Sequence, residues 1–574
     1  MLDSFSAGHS TSAEGALIPF NPINDRKTEL LLMGWPMHLP EPEVTRHLVH
    51  AFFAFNMHAG RLFHGPTFLA SLDLNPNDPR FPYSALLHAM CAVGSLYTAD
   101  IPQPPMQRRT RYATNGQFFA VDELFPGRWR QLEQRPDSFA EQHAKYAKLA
   151  GEAALDRGEH LLECLQTQII LTWFYLCQAR WSESYLSSGQ ALRCTVPCGI
   201  NISPPFHGSG PSLMFRPEKP PSILSEAQSV IDHETRRNIF WIAYALERQQ
   251  AAGNSFAMVL DDMDICQLLP LRGDQYERGL SVPVDDRQWS HDRKMLLNHP
   301  HNQIDSFILY IKSTILMSHV KNFNLRFRGR YFAGDASMYS PSSSPTSEPD
   351  RFDPRDTQAF QELDHYVTSF KGSFPAHMRN PVQDEMVDSY LYTAHCAAHL
   401  AQILLHEPHV RMSSSHDLSV GRVMKAARGI LDLMYAISAT SFDVSLLDHL
   451  PILCWNVCGR VLTKGLKAAV DKKDYEQSLV LQAEIAFVHS MLAKAGERMP
   501  LAYRYKQMVY EILLNTCGRE YVQSLPENSY HRGGFTPPPS NASYDQTTYS
   551  APVFAPAAYA MSTMQDGDGM ARFL

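Results

Sequence analysis

The stretch that decides the fold is HETRRNIFWIAYALERQQ, residues His233–Gln250. Two adjacent arginines, Arg236 and Arg237, are followed after Asn238 by eight consecutive apolar residues, Ile239–Leu246. A helix with no polar face along such a run must be surrounded by protein on nearly all sides. The stretch therefore predicts a buried helix near the centre of a helical domain.

The first turn of this helix carries charges at helical spacing. Asp232 is the predicted N-cap, whose side chain accepts a hydrogen bond from a free N–H group, and Glu234 suits the positive end of the helix dipole. Asp232 with Arg236 falls at i,i+4 and Glu234 with Arg237 at i,i+3. Such pairs contribute about 0.2–0.5 kcal/mol each when exposed. We expect both arginines to clamp the start of a buried helix rather than to contact nucleic acid.

Apolar residues recur at helical spacing along most of the chain, and no set of alternating strands lies between these segments. The pattern predicts an all-α fold in the form of one large multi-helix body. After a helix that begins at Glu43, the predicted helices cover residues 83–98, 141–178, 182–196, 228–252, 300–324, 356–371, 385–406, 418–438, 443–469, 474–495 and 500–516.

The two ends of the chain differ in composition from the helical body. Residues 1–28 are polar and mixed, which predicts a flexible lead-in. Residues 527–574 are rich in Pro, Ser, Ala and Tyr and cannot bury enough apolar surface to offset their ordering entropy, which predicts a disordered tail. The spaced aromatic residues of this tail could serve as docking points for a partner, as in an activation segment. A solvated tail is the simpler interpretation.

Charge and composition exclude several classes of protein. The 51 Lys and Arg against 59 Asp and Glu give a net charge of −8, so no protein-wide positive field attracts nucleic acid. The N-terminal sequence does not read as a signal peptide, and no apolar run reaches the length that a bilayer requires. The ten cysteines are scattered, mostly within apolar segments, which indicates a reducing, intracellular compartment.

Three acids, Asp261, Asp262 and Asp264, suggest a metal-dependent enzyme as an alternative. All-helical terpenoid synthases hold magnesium on an Asp-Asp-x-x-Asp pattern, but the spacing here is shorter by one residue and no second metal motif follows. Pro270 closes the segment like a loop. We therefore expect these acids to solvate a loop after the 233–250 helix.

Four histidines of HCAAHLAQILLHEPH, His395, His399, His406 and His409, include a pair at metal-ligand spacing. No Glu follows the first histidine as in zinc proteases, and Pro408 ends the helix near the second pair. Phosphate-binding glycine loops, nucleophile elbows and C-x2-C pairs are also absent from the sequence. We predict no catalytic residue and no metal ligand.

The order of residues around the central helix resembles the middle homology region of fungal-specific transcription factors. That region has an acid-Thr-Arg-Arg start, a Phe-Trp pair, an acid-Arg pair, and then Asp-x-Asp-Ile and Leu-Pro. The matching residues are Glu234, Thr235, Arg236, Arg237, Phe240, Trp241, Tyr244, Leu246, Glu247, Arg248, Asp262, Asp264, Ile265, Leu269 and Pro270.

The resemblance extends in the same order over residues 40–410. A His-x-Pro-Thr-Phe turn is matched by His64, Pro66, Thr67 and Phe68. A Gly-x-Ala-x-Arg helix ending in Gly-Leu is matched by Gly189, Ala191, Arg193 and Gly199, with Ile200 in place of the leucine. ILLHEPHV, Ile403–Val410, is similar to a helix end common in the C-terminal half of the family. We predict that residues 40–410 form the family's regulatory region and that 411–526 continue the same helical body.

One family feature is missing from this sequence. Typical members begin with six cysteines in two C-x2-C-x6-C halves, which bind two zinc ions and place a helix in the major groove. Here the first cysteine, Cys91, already lies within the helical region. We therefore expect no cofactor in this chain, with zinc only if a missing N-terminal cluster exists. Either the chain starts downstream of such a cluster, or it reaches DNA through partners.

The resemblance implies a nuclear transcription regulator of RNA polymerase II genes that is not an enzyme. The expected partners are the transcription machinery or another transcription factor, in a homo- or heterodimer, with a small-molecule effector in the helical region and no membrane. DNA contact is expected to be indirect or to need the missing cluster. Two alternatives stay open: a helical metal-dependent enzyme that uses Asp261–Asp264, and a cluster-less interaction protein.

Overall fold

Helices form nearly all the regular structure, which confirms the predicted all-α class. The computed structural model describes residues 33–103, 136–203, 222–253, 256–292, 294–339, 353–410 and 417–523. The predicted lead-in, 1–28, and tail, 527–574, lie outside these residues. Within the described ranges the only strands, β1 (Val382–Gln383) and β2 (Met386–Val387), form one antiparallel hairpin.

The α-helices fall into two runs along the chain. Before residue 300 they are α1 (Pro42–Phe55), α2 (Ala59–Leu62), α3 (Gly65–Ser71), α4 (Ser84–Gly94), α5 (Phe139–Arg157), α6 (Leu161–Cys177), α7 (Trp181–Cys194), α8 (Val230–Ala252) and α9 (Gly273–Glu277). After it they are α10 (Ser306–Phe332), α11 (Gln358–Phe370), α12 (Ser389–His406), α13 (Leu418–Ser438), α14 (His449–Asp471), α15 (Tyr475–Ala495), α16 (Pro500–Cys517) and α17 (Arg519–Gln523).

The predicted helix over 141–178 is wrong in one respect, because two helices, α5 and α6, occupy this range. Gly158 adopts a φ of 70°, and its backbone N–H and that of Glu159 bond back to Leu155 and Ala154. This left-handed C-cap ends α5, and His160, at a φ of 49°, turns the chain into α6. Apolar residues continue across the break because α5 buries one face, and α6 nearly all of its residues, in the same core.

Aspartate caps set the start of two later helices. Asp305 accepts a hydrogen bond from the N–H of Ile308 at 2.9 Å, so α10 starts later than the predicted 300 and runs on to Phe332. Asp448 caps α14 in the same way through the N–H of His449, at 2.8 Å, whereas the prediction began this helix at 443.

One hydrophobic core contains buried residues from Val49 to Val522. Helix α10 packs along α12, α14 packs against α13, α15 and α16, and α6 contacts both α14 and α16. The helices after residue 417 therefore share a core with those of the N-terminal half. The division into 40–410 and 411–526 stays a prediction, because a shared core does not mark a boundary.

Helices α1 and α4 approach each other closely at Gly94. A Cβ atom at this position would lie 2.1 Å from the carbonyl oxygen of Leu48. We predict that Gly94→Ala lowers the free energy of unfolding by about 1–3 kcal/mol, because the two backbones must move apart. Urea unfolding followed by circular dichroism measures the change.

Gly151, inside α5, provides the matched control. A Cβ atom there meets nothing within 4 Å outside its own helix. We expect Gly151→Ala to stabilise the protein by about 0.5–1 kcal/mol, the usual gain in helix propensity. Equal effects of the two substitutions would contradict the close approach of α1 and α4.

Candidate functional site

The start of α8 is capped differently from the prediction. Ser229, rather than Asp232, is the N-cap, and its hydroxyl accepts from the N–H of Asp232 at 3.1 Å. The Asp232 carboxylate instead accepts two hydrogen bonds from Arg236, at 2.9 and 3.1 Å, as the i,i+4 spacing predicted. Arg236 also donates to the carbonyl of Ser225 at 2.7 Å. Arg236 is thus engaged by the segment that leads into α8.

Glu234 is the centre of a buried ion cluster. Its carboxylate, only 4% exposed, accepts two hydrogen bonds from Arg287, at 2.7 and 3.0 Å, and pairs with Arg237 as predicted. Arg237 also donates to the side chains of Gln267 and Ser203, at 3.0 and 3.2 Å. One carboxylate therefore serves two guanidinium groups, and the second arginine of the quoted stretch is directed into the protein.

Hydrogen bonds along α8 fasten the loop residues that follow it. Trp241 is fully buried and donates from its indole nitrogen to the carbonyl of Leu268 at 2.8 Å. The hydroxyl groups of Thr235 and Tyr276 lie 2.8 Å apart. Phe240 packs edge-on against Trp241, with ring centroids 5.0 Å apart. Pro270, like Leu268, is buried in this loop.

A second ion cluster, at the C-terminal end of α8, is centred on Arg248. This buried guanidinium pairs with Glu247 and with Asp262, the latter at 3.0 Å. It also donates to the hydroxyl of Ser318 at 2.8 Å and lies over the ring of Tyr244. The acid-Arg pair of the motif thus joins α8 to α10 and to the loop between them.

One of the three loop acids, Asp262, does not behave as predicted from sequence. Asp262 does not solvate the loop: its side chain is 18% exposed and accepts hydrogen bonds from Tyr244 and Ser318, at 2.9 and 2.6 Å. Burial by itself would raise the pKa of Asp262, but the charge of Arg248 and the hydrogen bonds from Ser318 and Arg248 hold this pKa below its ordinary value. Asp261 pairs with Arg326. These carboxylates have separate partners, which is not the arrangement of a shared magnesium site.

Asp264 is exposed, and its backbone carbonyl accepts from the side chain of Asn201 at 3.1 Å. Arg193 is also exposed, on α7. Ala191 is buried on the same helix, and a Cβ at Gly189 would lie 3.2 Å from Val259. Gly199 turns the chain after α7 with a φ of 65°. The Gly-x-Ala-x-Arg residues thus form a helix-packing surface and its exit turn.

The His-x-Pro-Thr-Phe residues form the start of the short helix α3, with His64 at its N-cap position. His64 lies 2.7 Å from the hydroxyl of Thr67 through Nδ1 and 3.2 Å from the carbonyl of Glu277 through Nε2. Because a carbonyl only accepts, Nε2 carries a proton. Pro66 lies in the first turn, and Phe68 packs on Phe53 and Phe63.

A third buried polar cluster, centred on Asp448, has no counterpart among the predicted residues. Its carboxylate, with no exposed surface, accepts from the indole of Trp173 at 3.1 Å and from the ring of His449 at 2.8 Å. The ring of His58 lies 3.8 Å away and contacts the hydroxyl of Tyr390 at 3.2 Å. In the sequence, the only local indication of this cluster is the Asp-His pair, Asp448 and His449, at the start of α14.

The ILLHEPHV segment, matched only by resemblance, contains another connection to α14. Glu407 follows α12 and accepts from Arg460 and Lys464, at 2.7 and 3.0 Å. Burial by itself would raise the pKa of Glu407, but these two cations hold it below its ordinary value. These two ion pairs thus connect the end of α12 to α14.

The predicted histidine pair has two different environments. His395 contacts the carbonyl of Met378 at 3.0 Å, whereas His399 contacts the ammonium of Lys371 at 2.9 Å. Across the described ranges, no group of three or more His, Cys, Asp or Glu side chains is arranged to hold a metal ion. The ten cysteines all lie in these ranges as free thiols, and their spacing does not fit a six-cysteine zinc cluster.

Comparison with protein families gives a match within the first two thirds of the chain. A family model described as "Fungal specific transcription factor domain" matches residues 49–365, more than half of the 574-residue chain. No curated protein and no solved structure matches the chain. In the part of the chain that the structure describes, no helix is long and apolar enough to span a membrane.

Proposed function

Because the chain belongs to the fungal specific transcription factor domain family, we propose that it is a nuclear regulator of RNA polymerase II transcription in a fungus. The match over residues 49–365 carries this proposal. The family is a regulatory one, which fits a protein that is not an enzyme. In this proposal the helical body presents or covers surfaces for the transcription machinery or for another transcription factor.

DNA contact is indirect in this proposal, or it needs a zinc cluster outside the printed sequence. Two observations support it: Arg236 and Arg237 are bound by carboxylates within the protein, and no pair of cysteines has the C-x2-C spacing. The family motif residues Glu247 and Arg248 likewise hold helices together. We assign these residues to the architecture of the regulatory body rather than to base recognition.

Tethering tests the regulatory role directly. The full chain is fused to the DNA-binding domain of an unrelated protein and expressed in a fungal host with a matching reporter gene. We expect the fusion to raise or lower reporter expression relative to the DNA-binding domain alone. Removing residues 527–574 from the fusion tests whether the tail contributes. Unchanged expression with a folded, nuclear fusion would contradict the proposal and favour a cluster-less interaction protein.

Chromatin immunoprecipitation tests how the chain reaches DNA. The tagged chain, Met1–Leu574, is compared with a version that carries any zinc-cluster segment found upstream in the gene. Enrichment at discrete promoters without the added segment indicates a partner. Enrichment only with it indicates that the cluster supplies sequence recognition.

A further inference from the structure

A cleft of about 540 Å³ opens where the end of α11 meets α12 and α13. Its lining side chains are Lys371, His399, Met424, Lys425, Arg428 and Asp432. The volume is within the range of about 300–1,000 Å³ typical of small-molecule sites. All of these residues follow the stretch 49–365 that the family model matches. The cleft is therefore a feature of this chain outside the matched region.

The charge of the cleft is opposite to that of the whole chain. Three cations, Lys371, Lys425 and Arg428, face one carboxylate, Asp432, whereas the chain carries a net charge of −8. Arg428 pairs with Glu484 at 3.4 Å. Among the residues that the structure describes, neither lysine forms an ion pair with a carboxylate. Two lysine side chains therefore line a concave site with no described carboxylate in direct contact, and the charge of Asp432 acts on Lys371 at longer range.

His399 holds one of these ammonium groups in place. The Nζ of Lys371 lies 2.9 Å from Nε2 of His399, and because an ammonium can only donate, this ring nitrogen accepts. Burial first, and then the charge of Lys371, lower the pKa of His399 to about 3, so the ring stays neutral. Two of the three ammonium hydrogens then remain for other acceptors.

Gly429 allows this arrangement. A Cβ atom at this position would lie 2.3 Å from Cε1 of His399 and 2.6 Å from Nε2. Any larger residue would push the ring off α13 and displace Lys371 with it. Met424 adds an apolar part to the lining, between the cleft and Gly465 of α14.

We propose that this cleft binds a small organic anion that carries a carboxylate or phosphate group. The ammonium groups of Lys371 and Lys425 act as its counter-ions, Met424 contacts its carbon frame, and Asp432 accepts from a hydroxyl or N–H group of the ligand. Charge-assisted hydrogen bonds of this kind are the strong ones in proteins. A role of the ligand as an effector rests on the proposed regulatory function, whereas its binding does not.

Binding is tested first on the purified full chain, with succinate and inorganic phosphate as probes. Each is titrated in isothermal calorimetry and in thermal unfolding, with potassium chloride added to equal ionic strength. We expect saturable binding and a rise in melting temperature with at least one probe. A response to succinate alone, or to phosphate alone, identifies which group the lysines recognise. No saturable binding of either probe overturns the proposal.

Two charge-removing variants locate the site. Lys371→Gln and Lys425→Gln are each expected to weaken binding roughly tenfold, the effect of losing one charge-assisted contact. The amide introduced by Lys371→Gln can still donate to His399, so this variant keeps its fold. Lys472→Gln removes the same charge from an exposed position outside the cleft and should leave affinity unchanged. Equal losses in all three variants would mean non-specific charge attraction and would overturn the site.

The tethered reporter separates the site from the regulatory role. If Lys371→Gln abolishes probe binding and also changes reporter output, the cleft is an effector site. If binding is lost but output is unchanged, the effector role fails while the binding site stands. If the wild-type fusion changes the reporter and no probe binds, the proposed function stands and the cleft proposal fails.

Discussion

Arg248→Met is expected to lower the free energy of unfolding by about 3–5 kcal/mol, the cost of leaving buried charges unpaired. Arg248 has no exposed side-chain surface and neutralises two carboxylates, Glu247 and Asp262. Methionine fills a similar volume but provides no donor for either carboxylate or for the carbonyl of Leu260, which Arg248 also binds, at 2.5 Å. Urea unfolding at pH 7, followed by circular dichroism and tryptophan fluorescence, measures the loss.

Arg193→Met is the matched control, because Arg193 is exposed on α7. Its effect should stay within about 0.5 kcal/mol, as for most surface substitutions. Adding Asp262→Asn to Arg248→Met should recover part of the loss, since one unpaired carboxylate is then removed. A loss in Arg248→Met no larger than in the control would show that the motif's acid-Arg pair does not support the fold.

Lowering the pH from 7 to 5 is expected to lower the free energy of unfolding substantially. His88 and His143 are buried with their Nδ1 atoms 2.9 Å apart, so one ring must donate and the other must accept. Burial lowers the pKa of His88 to about 4 and that of His143 to about 3, in the latter case with a further contribution from His88. Both rings are therefore neutral in the folded protein at pH 5.

The sign of the pH effect follows from proton binding. A histidine in the unfolded chain has a pKa of about 6.5, so between pH 6.5 and pH 4 the unfolded state binds more protons than the folded one. The stability contributed by each neutral ring is complete above pH 6.5 and decreases as the pH falls towards the folded pKa. From pH 7 to pH 5, each of these two buried histidines should lower the free energy of unfolding by about 2 kcal/mol. Buried carboxylates with lowered pKa, such as Asp262, lose their contribution only below about pH 4.

Urea titrations at several pH values between 7 and 5 measure this slope. His143→Gln removes one titrating ring, while the new amide can still hydrogen-bond to His88. We therefore expect the free energy of unfolding to change less steeply with pH, with a slope reduced by the equivalent of up to one proton. His50→Gln, on the exposed face of α1, should leave the slope as in the wild type. An unchanged slope in His143→Gln would contradict the neutral pair.

The contacts of the two adjacent arginines show how much of the ion cluster residue spacing within one helix can predict. The i,i+4 and i,i+3 pairs of Arg236 and Arg237 were predictable because a helix alone fixes which residues face each other. The sequence predicts Asp232 as the N-cap, whereas the structure has Ser229 there; the two residues lie within one turn, and both residue types suit the position. Arg287, the other partner of Glu234, lies 53 residues further along the chain and has no local signal.

The amino-acid sequence by itself determined the all-α class, the buried central helix and most helix positions, because apolar periodicity and turn residues are local properties. The sequence also contains the motif residues by which the chain is recognised as a member of its family. Only the tertiary structure decided which polar and charged groups meet: Arg248 with Asp262, Trp173 with Asp448, and the lysines of the cleft. The physical reason is that such contacts depend on how helices far apart in the chain pack together, and burial then determines how strongly each charge needs its partner.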